Sequence, residues 1–426
     1  MKISRVSAVV TVAATIFALT ACSGGSGTGN KTKTLTILSN IQDGTPTGDV
    51  QATVIAAFEK STGATVKLTQ VGETIPDVYE TSVAGGKEAD VVMVNLAEKT
   101  NNWVKEGAAI PASKYLDSWG LTDKIKPEAL DAWKDAKGDV QGFPYSGFVW
   151  PVWYNMNLLN KAGIQAPPTS TDELLADVSK LKVAGIPPLV IGGNDWSGQK
   201  LFLQIAQMYM TPDETTTVYS KGGYCASPNA MKGINLFTEL RDAGLFVKDS
   251  EGYTADQMNA AFYDGKAAIM SAGSWAFGDA PAALQANVKL GGFPIPDGGS
   301  YDKPTAFQGY TGGGMWVSPN GAKADKIDLV QKFITAWYAP AVAASWAQAS
   351  NAPTAVIDSG SGAPIANLIT AAAVNDLPKT VDFAVMPDTV VPGSLADPMI
   401  RQTSVAFAPG TNAQAICSGL DSLYAK

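Results

Sequence analysis

Leu35-Thr36-Ile37-Leu38 is the first β-prone run of the chain, and the pattern after it changes period. Val50, Val54, Ile55 and Phe58 recur three and four residues apart, the spacing of one helix face, up to a stop at Gly63. Thr65 to Leu68 reads as a strand again. Asp90-Val91-Val92-Met93-Val94 is apolar without alternation, which predicts a strand buried on both faces. Two later helices carry clear start signals. Ser170 with Glu173 makes a capping box before Leu174, Leu175, Val178 and Leu181, with Gly185 closing that helix, and Thr254 with Gln257 does the same before Met258, Ala261 and Phe262. Strand-like runs recur at Leu189 to Ile191 and Ala267 to Met270. Ile327, Val330, Phe333, Ile334 and Trp337 predict one long helix from about Asp325 to Ala349. Short strands alternating with helices point to an α/β protein with largely parallel sheets.

The N-terminus adds a compartment. Lys2 and Arg5 precede an apolar run, Val6 to Leu19, which is too short to span a bilayer and fits the core of a signal peptide covering residues 1–21. Leu19-Thr20-Ala21-Cys22 resembles a bacterial lipoprotein box, in which the Cys22 thiol takes the lipid; ordinary secretory cleavage beside an incidental cysteine is the alternative. Residues 22–33 are rich in Ser, Gly, Thr and Asn and read as a flexible tether. Two or more acyl chains on Cys22 would hold the protein to the outer face of the bacterial cell membrane. No later segment is long and apolar enough for a membrane helix, so the chain is not expected to form a channel itself. Outside the reducing cytoplasm, the remaining Cys225 and Cys417 are expected to form one disulfide, against the alternative of two buried free thiols.

Composition removes several classes of chemistry. The 426 residues are 46% hydrophobic and 16% charged, ordinary for a globular protein of two or three domain-sized units. The net charge of −8, from 31 basic and 39 acidic residues, lacks the basic footprint that nucleic acid requires. There is no histidine, so Ser-His-Asp and Cys-His relays and His-ligated zinc sites are excluded. No catalytic residue, metal or cofactor is expected. A carboxylate pair for hydrolysis remains chemically open.

A set of short motifs then falls in a recognisable order. Phe58-Glu59-Lys60-Ser61-Thr62-Gly63 precedes a strand. Ala84-Gly85-Gly86-Lys87-Glu88-Ala89-Asp90-Val91-Val92 follows, then Gly142-Phe143-Pro144-Tyr145, Tyr154-Asn155, Ala162-Gly163-Ile164 and Pro167-Pro168-Thr169. Phe262-Tyr263-Asp264-Gly265-Lys266-Ala267-Ala268-Ile269-Met270 runs on to Gly273-Ser274-Trp275, and Phe293-Pro294-Ile295-Pro296 and Trp316-Val317-Ser318 close the series. In order and spacing the chain resembles the family 1 extracellular solute-binding proteins of ABC-type carbohydrate importers. The resemblance implies a two-lobed, periplasmic-binding-protein-like fold (type II-like) with the ligand in the cleft between lobes. It places the first lobe at 34–147 plus about 296–352, and the second at 148–295 plus about 353–426. It also implies a monomer that closes on a mono- or oligosaccharide, delivers it to the transmembrane subunits of an ABC permease, and is not an enzyme.

A sugar has apolar C–H faces and a rim of hydroxyls, so its site needs aromatic platforms and polar side chains for the rim. Trp275 sits where the family often places such a platform, and Trp196, in the polar loop Gly192 to Gly198, is a second candidate. In the aromatic run Phe148 to Tyr154, an extended backbone puts Phe148 and Trp150 on one face as ligand candidates and Trp153 on the other as core. Asp43, Glu73 and Asn95 follow the first three strands, whose ends in an α/β sheet face the ligand crevice. Gln308 and Tyr310 lead into the glycine-rich return strand. Trp103, Trp119, Trp133, Trp316, Trp337 and Trp346 are expected to pack structurally. The competing readings are a binding protein for another solute, such as ferric iron, a polyamine or a phosphate ester, a surface carbohydrate-active enzyme, or an adhesion or scaffold lipoprotein. Iron binders commonly use paired tyrosines or histidine, which this chain lacks, and no candidate position is basic enough for a phosphate.

Overall fold

The structure is a computed structural model that describes residues 33–72, 74–358 and 367–425. The leader, Cys22, nearly all of the tether and Glu73 lie outside the described residues. Ten strands can be followed: β1 Thr34–Ser39, β2 Thr65–Gln70, β3 Val91–Val94, β4 Phe143–Trp150, β5 Val152–Asn155, β6 Leu189–Val190, β7 Ile269–Ser271, β8 Val288–Gly291, β9 Thr305–Val317 and β10 Asp382–Phe383. They form two sheets. One has the order β10-β9-β3-β1-β2 with β4 also paired to β9, and the other the order β6-β7-β5-β8.

Both sheets are mixed, which corrects the expectation of largely parallel pairing. β1 is parallel to β2 and β3, and β6 to β7. β9 is antiparallel to β3 and β4, and β5 to β7 and β8. An unbroken apolar run reports that a strand is buried, but it carries no information on strand direction. The helix starts follow their capping chemistry. Thr45 accepts from the Gly48 amide ahead of the helix Pro46–Thr62, which ends at Gly63 with φ +67°. Both capping boxes are formed, at Ser170 with Glu173 and at Thr254 with Gln257. The single long helix expected near the C-terminal third is instead two, Ile327–Trp337 and Pro340–Ser350. Proline has no amide hydrogen to continue the first helix and pushes the preceding residue out of helical geometry, and Ala339 is extended accordingly.

Each sheet has its own core. The first gathers β1, β3, the N-terminal half of β4 and the C-terminal end of β9 around Trp103, Trp133, Trp316 and Trp337, and takes in Trp346 and Val356. Trp119 is half-buried there, stacked on Tyr115 at 4.6 Å and Phe143 at 5.2 Å. The second core includes Trp153, Phe202, Phe237 and Phe262, and the Trp153 indole donates to the Ala272 carbonyl at 2.8 Å. β4 and β9 run through both: Phe143 and Met315 belong to the first core, Val149 and Ala306 to the second. Their ladder shifts register between Pro144 and Ser146 and again between Ser146 and Phe148. Gly147 sits in that irregular stretch, where a Cβ would meet the Gly309 carbonyl at 2.6 Å, and its amide donates to the Pro353 carbonyl. In the second lobe, a disulfide joins Cys225 to Cys417, Cα atoms 5.1 Å apart, tying the segment before the helix Pro228–Asp242 to the last helix, Ala413–Tyr424.

Candidate functional site

Where the two lobes meet, aromatic rings gather. Trp275 stands on a single turn, Ser274–Ala276, just past β7, with 44% of its surface exposed. Its indole folds back over Gly273, where a Cβ would lie 2.1 Å from the ring, so only glycine permits this pose. Trp196 begins the helix Trp196–Ala206 and is half-buried. Asp195 caps that helix: it accepts from the Ser197 amide at 2.9 Å, from the Ser197 hydroxyl at 2.7 Å and from the Ala255 amide at 2.5 Å. Burial pushes the Asp195 carboxyl above its ordinary range, although these hydrogen bonds oppose the shift.

Trp150 lies beneath both rings. Its centroid is 5.1 Å from Trp275 and 5.5 Å from Trp196, both edge to face, and Trp275 is 5.6 Å from Trp196. The Trp150 indole donates to the Ser271 hydroxyl at 3.1 Å. Phe148 is 6.5 Å from Trp275, and Phe148, Trp150, Phe307 and Ala384 form a small apolar cluster of their own. The structure thus brings the four aromatic candidates together in two layers. Trp275 and Trp196 form the accessible layer, and Phe148 and Trp150, 4% and 3% exposed, support it from below.

The first-lobe candidates lie past the ends of neighbouring strands. Asp43 is exposed beyond β1, with Oδ1 accepting from the Gln70 side-chain amide Nε2 at 2.9 Å. Asn95 is half-buried directly after β3, and its carbonyl accepts from the Thr100 hydroxyl. On β9, Gln308 is half-buried opposite Val149. Tyr310 is engaged inside the first lobe: its carbonyl accepts from the Trp133 indole at 2.8 Å, and Lys126 lies 5.2 Å above its ring.

The sequence reading missed a buried ionic triad beside these rings. Lys200, one turn beyond Trp196 and 4% exposed, donates to Glu98 Oε1 at 2.5 Å and lies 2.6 Å from Asp388 Oδ1. Burial pushes the Asp388 carboxyl up to about 6, and the neighbouring Glu98 adds to the rise against the pull of Lys200. Burial alone would lower the Lys200 ammonium, but the two carboxylates hold it well above its ordinary value. A signal was available. Lys200 stands directly before the apolar run Leu201-Phe202-Leu203 of a buried helix, and a lysine in such a place needs a counter-ion. The site therefore offers a half-open aromatic face and a sealed set of charges. Among the described residues no group of three or more Cys, Asp or Glu side chains is placed to hold a metal ion.

Two mixed sheets with separate cores, two strands crossing between them, and an aromatic cluster beside the crossing make a two-lobed protein. Residues 43–344 match the bacterial extracellular solute-binding proteins, and the chain belongs to that family. A solved protein from Streptomyces coelicolor, described as a "probable secreted solute-binding lipoprotein", is 38% identical and superposes with a TM-score of 0.80 over 92% of this chain and 98% of its own. A Brucella abortus protein described as a "putative binding protein" is 25% identical over 236 residues, 53% of this chain and 54% of that protein. A Rhizobium meliloti relative, described as a "probable sugar-binding periplasmic protein", is 28% identical over 42% of each chain. The chain thus spans about half the length, or less, of these curated relatives.

Proposed function

We propose that this chain is the lipid-anchored, extracytoplasmic receptor of an ABC-type importer and that it captures a sugar, a small oligosaccharide above all, between its lobes. The observation that carries the reading is Trp275, a large apolar ring left half-exposed at the lobe junction while Trp150 fixes it from below. An exposed indole on a rigid support suits the C–H face of a pyranose. Trp196 extends the same face. Asp43, Asn95 and Gln308 are assigned to the hydroxyl rim, with Glu73 as a further candidate and Tyr310 at the margin. The sugar-binding description of the Rhizobium relative supports this choice.

Binding to both lobes at once gives the ligand a differential affinity for the closed state, which is what drives closure. The ligand is to be released intact to the permease, so the site orients hydroxyls and needs no nucleophile. Acylation of Cys22 would keep the receptor, as a monomer, near that permease. Thermal shift across a panel of mono- and oligosaccharides tests the proposal, because ligand that binds only the folded state raises the melting temperature by mass action. A shift with one sugar class, and recovery of that sugar unchanged, is the expected result. A shift with a polyamine alone, or steady release of shorter sugars, would overturn it.

A further inference from the structure

We propose that Glu98, Lys200 and Asp388 form an inter-lobe clasp that helps to hold the two lobes in the arrangement seen here, with Glu98 as a positioning residue for the cleft. The three side chains come from both lobes. Glu98 follows β3 in a stretch anchored to the first lobe, where the Leu96 amide donates to the Thr311 carbonyl. Lys200 belongs to a helix whose next residues, Leu201, Phe202 and Leu203, sit in the second core. Asp388 lies in the turn Pro387–Thr389, three residues before Val391 of that same core.

The ammonium has three donors, and three acceptors meet it: Glu98 at 2.5 Å, Asp388 at 2.6 Å and the Gln199 side-chain carbonyl at 3.2 Å. Two of these acceptors are on the lysine's own lobe. Parting the lobes therefore breaks only the Glu98 arm, and the lysine keeps a counter-ion while Glu98 returns to water. A buried charge pair that can separate without orphaning its cation is suited to repeated opening. The neighbouring contacts lie on the same strip. The Asn101 side-chain amide Nδ2 donates to the Thr389 carbonyl at 3.2 Å, and Lys99 lies 3.2 Å from Asp397. Gly393 packs so tightly on the Glu98 carbonyl that a Cβ there would come within 2.2 Å. The three charged side chains are buried, and charge-assisted hydrogen bonds are stronger there than at an open surface.

The proposal rests on the two-lobed reading above but not on the identity of the solute, so its test uses none. Small-angle scattering of the protein, stripped of carried solute by unfolding and refolding, compares the wild type with Glu98→Ala and with the double variant Lys200→Met/Asp388→Leu. The second removes the clasp from the other side and leaves only Glu98, which can hydrate. Circular dichroism confirms folding, and Glu98→Ala decides alone if the double variant does not fold. The expected result is a larger radius of gyration in the folded variants than in the wild type. An unchanged or smaller radius overturns the clasp. An unchanged radius together with weakened sugar binding would make Glu98 a ligand contact instead and leave the sugar reading intact.

Discussion

The aromatic wall and the ionic triad sit one helical turn apart, at Trp196 and Lys200, yet they are built on opposite terms. The wall is apolar and open: its outermost ring is exposed, and its partners are carbon faces that tolerate many occupants. The triad is charged and sealed, and each ammonium hydrogen already has an acceptor. An exposed indole costs little to keep and gains on meeting a ligand. A buried charge is expensive unless paired, so it punishes any loss of its partners. On the proposals above, the difference separates recognition from restraint within one short helix.

Removing a charge should sharpen the contrast most. Lys200→Ala leaves Glu98 and Asp388 as neighbouring buried carboxylates, and loss of one member of such a set costs roughly 3–5 kcal/mol of stability. Denaturant titration should show this; a loss below about 1 kcal/mol, the level of an exposed pair, would place the triad in water. Trp275→Ala is expected to do the reverse, weakening sugar binding by at least about 2 kcal/mol, or roughly thirtyfold, while the melting temperature stays nearly fixed. Isothermal titration with the sugar found by thermal shift measures it, and unchanged affinity would remove Trp275 from the site.

A pH series probes the triad more gently. Burial, with Glu98 beside it, outweighs the pull of Lys200, so Asp388 is protonated more readily in the folded chain, where its carboxyl is pushed up to about 6, than at its ordinary value of 3.8. A raised folded pKa contributes stability that is complete below the unfolded value and is lost as pH rises through about 6. Between pH 7 and pH 5 the wild type should therefore gain about 1 kcal/mol relative to Asp388→Asn. Melting curves of both proteins at the two pH values read the difference, and parallel curves would show that Asp388 does not titrate there. The smallest effect is expected at the rim of the same seam. Lys99 reaches Asp77 at 3.4 Å and Asp397 at 3.2 Å with a third of its side chain exposed, so Lys99→Ala should cost no more than about 1 kcal/mol by the same titration.

Local rules made much of the fold legible. The unbroken Val91–Val94 run, both capping boxes and the stop at Gly63 are decided by residues close in sequence, and each is formed. The break at Pro340 follows from the same local rules, although the apolar spacing on either side suggested one continuous helix. Strand direction was not legible, because β9 reverses against β3 through contacts far along the chain. At the site, alternation correctly set Phe148 and Trp150 on one side and Trp153 in the core, but it could not show that Trp275 would lie over them. The partners of Lys200 were out of reach for the same reason: Lys200 and Glu98 are 102 residues apart, and only the lobe junction makes them neighbours.

The faulted ladder between β4 and β9 has a mechanical consequence. Two paired strands behave as a ribbon that flexes most easily where its rungs are missing, and here the rungs fail around Ser146 and Gly147, between the two cores. For the closure proposed above, this would place the axis of swing in main chain, whereas the grip is assigned to side chains that stand to one side of it. Exchanging the rings of the wall can then change which solute is held while leaving the path of the swing unaltered, so specificity in this scaffold can drift without retuning its motion.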